Sequence, residues 1–368
     1  MKNERNIIGI MSGTSLDGID AAMITVRGVG LDIEVTPMSH ASSSLGEAAD
    51  TLKALARDLP IPPSRWATTI LEFSEQCARV ALECANGIPA DLIVVHGQTV
   101  HHAPPSSIQL INAAVLAQRT GCPVMHDLRA ADLAAGGQGA PITPMADWIL
   151  FRDTDPTSVV NLGGFCNFTY LPSSENGHHD IGAIQAGDIC PCNHLLDEAA
   201  RRLLGLKMDP EGGHAMKGKE DVEVSRRIVN HLTRHDGERS LGSGDEGNEV
   251  LDFLSSIENP DDALATLSHA IAGAIISGLP KTGHKMILAG GGAFNECLVE
   301  SVRAQWEGEV VLSSELGIDI QAREAIGMAI LGTLAQDGVP VTLPQVTGRN
   351  TQIACDGCLT TIAEKTDR

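Results

Sequence analysis

Short apolar runs that end in glycine-rich turns set the layout of the chain. In "NIIGIMSGTSLDGIDAAMITV", residues 6 to 26, two β-branched apolar runs flank Gly13 to Gly18. That pattern predicts a hairpin with a polar, hydroxyl-bearing tip. "SVVNLGGFCNFTYLP", residues 158 to 172, repeats the form as strand, Gly163-Gly164 turn and strand. In "HKMILAGGGAFNECLVESVRAQW", residues 284 to 306, a strand from Met286 to Ala289 runs into Gly290-Gly291-Gly292 and then a helix. The two strand–turn–strand units suggest an architectural duplication. Between them lie a buried-type strand, Leu92 to Val95, the His96-Gly97-Gln98 loop, and a polar, glycine-rich stretch from 126 to 147.

Helical periodicity is clearer in the second half. Leu264, Leu267, Ile271 and Ile275 share one face of a segment that ends at Gly278 before Pro280. "HLLDEAARRLL" follows Asn193, a residue type suited to an N-cap, and places Leu195, Ala199 and Leu203 on one side. "QAREAIGMAILGTLA" is apolar enough to be packed on most faces. Residues 207 to 250 are charged and weakly periodic, which reads as a long surface excursion, and the tail beyond Gly348 carries no usable pattern.

Composition narrows the class. At 368 residues and 43% hydrophobic content, the chain can build two ordinary cores. Its 38 glycines and 3% aromatics suit an α/β enzyme with many tight turns. A formal net charge of −21 repels nucleic acid and anionic membranes, so neither is an expected partner. A phosphorylated ligand would therefore be held by local backbone N–H groups and a metal ion. No apolar run approaches the roughly 18 residues of a membrane span, and the N-terminus lacks a signal-peptide pattern. Nine scattered cysteines read as reduced thiols, so a cytoplasmic location is expected.

A single glycine turn usually solves only a backbone problem. Three at strand ends point to phosphate binding, because exposed N–H groups need approach without side chains in the way. Thr14 and Ser15 add hydroxyl donors, and Asp17 is placed to hold Mg2+ directly or through water. There is no Walker pattern, and no G-x-G-x-x-G opens a helix. His96, His101 and His102 lack a carboxylate at ligand spacing, so His96 reads as a hydrogen-bond donor to a substrate, or else as a satisfied structural histidine. Cys190-x-Cys192 and Cys355-x-x-Cys358 leave a zinc site as a minor alternative, since the spacing is wrong for a knuckle.

Taken together, "GIMSGTSLDGIDAAMITV", "VVHGQTVHHAP", "DLRAADLAAGGQGAPITP", "VNLGGFCNFTYLP", "LAGGGAFNECL" and "LPQVTG" resemble the anhydro-N-acetylmuramic acid kinase family, in order from about residue 7 to 348. The resemblance implies an α/β fold of two actin-like (ribonuclease H-like) domains flanking a nucleotide cleft. The expected domains are residues 1–150 plus 335–368, with the first phosphate hairpin and part of the sugar site, and residues 151–334, with the remaining turns and the catalytic aspartate. It implies ATP at Gly13, Thr14, Ser15, Leu16, Asp17, Gly18, Ile19 and Asp20, completed by Gly163, Gly164, Gly290, Gly291, Gly292 and Asn295. Asp17 is the candidate Mg2+ ligand. His96, Arg129, Glu324 and Asn193 fall on the sugar side, and Asp188 takes the position of the general base. The implied reaction opens a 1,6-anhydro bridge with water while the released 6-oxygen takes the γ-phosphoryl group, in the recycling of cell-wall sugars. The resemblance also makes a homodimer plausible.

Two departures leave the acceptor open. The family carries Asp-Thr-Gly-Pro-Gly-Asn where this chain reads Asp188-Ile189-Cys190-Pro191-Cys192-Asn193, so two cysteines replace glycines in a catalytic turn and would narrow the pocket. At residues 239 to 246, "RSLGSGDE" lacks the basic residue near the end of the family's Lys-Ser-Thr-Gly-Arg-Glu run. The expected function is thus an ATP-dependent kinase of anhydro-N-acetylmuramic acid. The alternatives are a kinase of another 1,6-anhydro sugar such as levoglucosan, or a nucleotide-binding sensor without turnover.

Overall fold

A computed structural model describes residues 4–13, 16–174, 180–233, 247–280, 284–350 and 356–362. The chain forms two compact units, residues 1–150 with 322–368, and residues 151–321.

The first unit opens with β1 (Glu4–Met11), β2 (Ile19–Arg27) and β3 (Glu34–Ser43), followed by α1 (Ala49–Ala56) and α2 (Pro63–Ala85). Next come β4 (Leu92–Val95), the hairpin β5 (Gln98–Ala103) and β6 (Ser106–Leu110), α3 (Ala113–Thr120) and β7 (Val124–His126). Two short helices, α4 (Ala130–Ala134) and α5 (Pro144–Phe151), close this part. The second unit holds β8 (Thr157–Leu162), β9 (Phe165–Leu171), β10 (Gln185–Pro191), α6 (Asn193–Leu204), α7 (Val222–Leu232) and α8 (Pro260–Gly278). It continues through β11 (Lys285–Ala289), α9 (Glu296–Gln305) and β12 (Val310–Leu312). The chain returns to the first unit with α10 (Arg323–Gln336), α11 (Pro344–Thr347) and β13 (Cys358–Thr360).

The duplication read from the two hairpins is present in the sheets. The first unit orders its strands β3-β2-β1-β4-β7, with β13 added at the β7 edge, and the second orders them β10-β9-β8-β11-β12. In each, three antiparallel strands are followed by two that run parallel to the first of them. This is the expected ribonuclease H-like layout, built twice.

Two features of the packing differ from the sequence reading. The boundary lies at 321/322 and not at 334/335, because α10 packs on the first sheet. A Cβ at Gly9 of β1 would stand 1.8 Å from the Ala325 carbonyl oxygen, so the helix backbone lies directly on the strand. Glu324 therefore belongs to the first unit. The 207–250 stretch is also more than a surface excursion: α7 buries Val224, Ile228 and Leu232 in the second core, against α8. Among the described residues, no helix is long and apolar enough to cross a membrane.

Candidate active site

In the first unit, β1 and β2 pair in register from Glu4↔Arg27 to Met11↔Asp20, with Gly13 following the first strand and Gly18 preceding the second. Thr14 and Ser15 lie outside the described residues. The tip is braced from two sides. Gly13 O accepts from Leu16 N (3.3 Å) and from Gln98 Nε2 (3.1 Å). Ser12 Oγ sits 2.6 Å from Gln98 Oε1 and 2.8 Å from Gly18 O, both acceptors for its one hydroxyl proton. Leu16 has left-handed backbone (φ 56) while its side chain is anchored in the core, which holds the turn in shape. Ile19 is fully buried and offers the site only its backbone. Asp17 is exposed, whereas Asp20 accepts from Ser42 Oγ and lies 3.3 Å from His40 Nε2.

Beside this tip, His96 follows β4, and its N–H donates to Ile10 O (3.0 Å). Arg129 Nε donates to His96 Nε2 (2.9 Å). A guanidinium can only donate, so Nε2 is bare, and the ring proton sits on Nδ1, which donates to Gly97 O (2.8 Å). Burial, reinforced by the Arg129 charge, pushes the imidazole down to about 3. His96 is thus a neutral acceptor with both nitrogens engaged, not the donor expected from sequence; what it holds is Arg129. Burial also pulls Arg129 down to about 10, while the nearby carboxylates of Glu324 and Asp132 oppose that shift. Arg129 Nη1 donates to Gly139 O. The structure therefore brings His96, Arg129 and Glu324 together, and Gln98 ties them to the hairpin tip.

The second unit assembles a matching set. Asn161, Asn167 and Asp188 stand in register across β8, β9 and β10, a polar row at the end of the sheet. The Gly163-Gly164 turn meets the start of α6: Asn193 N donates to Gly163 O (3.1 Å), and Cys192 N donates to Gly164 O (2.9 Å). A Cβ at Gly164 would lie 2.4 Å from His194 Nε2, which explains the glycine. The Gly290–Gly292 turn closes on the same place. Gly290 is left-handed (φ +79) with Asn161 Oδ1 2.6 Å from its would-be Cβ, and Gly292 faces Asn193 Oδ1 at 2.8 Å.

Two expectations change here, that of Asn193 as a helix cap and that of the two cysteines, and Asn295 has a structural role besides its expected one. Asn193 is the first helical residue and not the cap; its Nδ2 donates to Leu162 O (3.1 Å), linking α6 to the strand before the glycine turn. Asn295 caps α9, its side-chain oxygen accepting from Leu298 N (3.0 Å). Cys190 and Cys192 do not line a pocket. Cys190 lies at the end of β10 and Cys192 at the N-cap of α6 with φ −128; both side chains are 0% exposed within the second core. Burial pushes the Cys192 thiol up to about 12 and the Cys190 thiol well above its usual value.

The described residues contain no group of three or more His, Cys, Asp or Glu that could hold a metal ion. Cys355 and the 239–246 run fall outside the described residues, and Cys358 is exposed on β13 of the first unit. His101 and His102 lie on β5, next to Ser106 and Ser107 of β6. Ser12, Gln98, Asn161 and Asn167 were not singled out from sequence. The alternation in "QTVHHA" and "SSIQL" around Pro104-Pro105 is the signal that would have placed Gln98 on a strand.

The sequence profile of the family described as anhydro-N-acetylmuramic acid kinase matches residues 5–360. The anhydro-N-acetylmuramic acid kinase of Salinibacter ruber is 31% identical over 380 residues, covering 94% of each chain. That of a Cyanothece species is 33% identical over 371 residues, with 95% of this chain and 97% of the relative covered. Among solved structures, the activator of the 2-hydroxyisocaproyl-CoA dehydratase from Clostridium difficile with bound ADPNP matches with a TM-score of 0.46 at 14% identity, covering 90% of this chain and 96% of the other.

Proposed function

The chain belongs to the anhydro-N-acetylmuramic acid kinase family, and from that premise we propose a division of labour among its residues. The enzyme is an ATP-dependent anhydrosugar kinase that converts anhydro-N-acetylmuramic acid to N-acetylmuramic acid 6-phosphate, a step in the recycling of cell-wall sugars. The observation that carries the reading is the family match over residues 5–360, which spans both hairpins, the third glycine turn and Asp188.

In the reaction, the oxygen of a water molecule bonds to C1 and the C1–O6 bond breaks. O6 then attacks the γ-phosphorus and ADP leaves. Asp188 accepts the proton of the attacking water, as a general base must do while the C1–O bond forms. The first hairpin tip and the Gly163-Gly164 and Gly290–Gly292 turns hold the phosphates through backbone N–H groups. Glu324 and the guanidinium of Arg129, held by neutral His96, bind the sugar. An exposed carboxylate at the hairpin tip suits a hydrated Mg2+, so Asp17 would hold the ion, which supplies neutralisation of phosphate charge.

The levoglucosan alternative was drawn from two cysteines crowding the acceptor pocket. Both thiols point into the core, so no observation favours it. Release of ADP should be measured with purified protein, ATP and Mg2+ against anhydro-N-acetylmuramic acid, levoglucosan and N-acetylglucosamine. Turnover only with the first is expected. Faster turnover of levoglucosan would replace the acceptor, and no turnover with nucleotide still bound would favour a sensor.

A further inference from the structure

Asp132 of α4 is completely buried, and its carboxylate is surrounded by donors from distant parts of the chain. Thr347 Oγ1 donates to Oδ1 (2.6 Å) and Gly139 N donates to Oδ2 (2.7 Å). Arg349 Nε stands 3.5 Å from Oδ1, an ion pair with side-chain exposures of only 5% and 0%. The loop wraps tightly round this group. Gly137 N donates to Asp132 O (2.9 Å), and a Cβ at Gly137 would lie 2.2 Å from Oδ2, so no other residue fits. Gln138 N donates to Thr347 O (2.9 Å), which fastens the loop to the returning segment a second time.

Desolvating a carboxylate costs several kcal/mol, and an apolar residue would fill the space at less expense to stability. The arrangement makes sense through what it holds. Gly139 is pinned at its N–H by Asp132, and its carbonyl accepts from Arg129 Nη1. That carbonyl and His96 Nε2 accept from two different nitrogens of the guanidinium, Nη1 and Nε, and together they fix its orientation. Asp132 is also near enough for its charge to support the protonated form of Arg129.

We propose that Asp132 is a positioning residue for sugar binding, acting through Gly139 on Arg129, with Thr347 and Arg349 fixing the carboxylate in turn. The inference rests on the reading that Arg129 contacts the sugar, and the test separates the two. Asp132→Asn keeps the shape but removes the charge and one acceptor. It should raise KM for anhydro-N-acetylmuramic acid by about tenfold or more, since small displacements of a positioning group have effects of that order. Affinity for ADP, measured by calorimetry, should be unchanged, a split that general loosening of the fold would not produce. In an Arg129→Met background the same change should add less than about twofold, because the residue it acts through is gone.

An unchanged sugar KM in Asp132→Asn, or an equal further loss on top of Arg129→Met, overturns the positioning role. If Arg129→Met itself leaves the sugar KM unchanged, the sugar-side reading of Arg129 falls and the inference with it. Should Asp132→Asn fail to fold, Thr347→Val removes one donor and keeps the charge. It should shift the sugar KM in the same direction with ADP affinity intact, and an unchanged KM there is also contrary.

Discussion

Replacing Cys190 and Cys192 together with glycine puts in the residues that the family resemblance implies at both positions, yet the structure predicts a loss and not a gain. Each thiol is 0% exposed, packed with Cys166, Leu195 and Leu196 in the second core. Deleting a CH2–SH group removes two buried heavy atoms, about 1.5 kcal/mol of burial at roughly 0.8 kcal/mol per methylene-sized group. A residual cavity of a few tens of Å3 adds about 0.5–1 kcal/mol. The greater backbone freedom of glycine adds roughly another 0.5–1 kcal/mol. The two positions are close enough to share relaxation, so the double variant should lose about 4–6 kcal/mol, somewhat less than twice the single cost. For a unit of this size that corresponds to a fall in Tm of about 10–20 °C. Thermal denaturation followed by circular dichroism in reducing buffer measures it, with KM for the sugar determined well below the transition. KM should stay within about twofold, since neither thiol faces the sugar. A Tm within about 3 °C of wild type together with a lowered sugar KM would refute the reasoning, because a ΔTm that small amounts to roughly 1 kcal/mol.

The His96 ring, held neutral with a value pushed down to about 3, binds no proton where the unfolded chain takes one near its ordinary 6.5. Its contribution is therefore complete above pH 6.5 and is lost as pH falls from there toward 3, at up to about 1.4 kcal/mol per pH unit. Urea unfolding of His96→Gln, whose side-chain oxygen can still accept from Arg129, should show that slope reduced by about one proton, and an unchanged slope would contradict the assignment. Gly9→Ala places a methyl 1.8 Å from the Ala325 carbonyl oxygen; soluble protein with a normal Tm would contradict the packing of α10 on β1. Asp188→Asn should lower turnover by about 100-fold or more while leaving ADP affinity and Tm nearly unchanged. Turnover within a few-fold of wild type would remove Asp188 as the base.

Both hairpins and the third glycine turn were legible because β-branched runs beside clustered glycines constrain local structure strongly. The helices α6 and α8 are legible in their apolar spacing, and α10 in being apolar on most faces. What sequence did not reveal depends on partners far away in the chain. Asn193 ahead of an apolar run has the form of a cap, but the Leu162 carbonyl, 31 residues earlier, draws its side chain across to the neighbouring strand. Cys190 and Cys192 around a proline read as a turn; pairing with Cys166 across β9 and β10 puts Cys190 at the end of a strand, and Cys192 at the start of α6 faces the same core. The four-residue spacing of Val224, Ile228 and Leu232 was hidden among charged neighbours. Asp132 looked like one more polar residue in a glycine-rich stretch, because its partner Thr347 is 215 positions away.

In the proposed reaction one enzyme both hydrates the anhydro bridge and phosphorylates the oxygen released from it. Mass spectrometry of the product formed from ATP, Mg2+ and anhydro-N-acetylmuramic acid tests this most directly. The expected product is heavier than the sugar by one phosphoryl group plus one water and is formed in step with ADP. A product heavier by the phosphoryl group alone, with the bridge intact, or ADP release without any phosphorylated sugar, would contradict it.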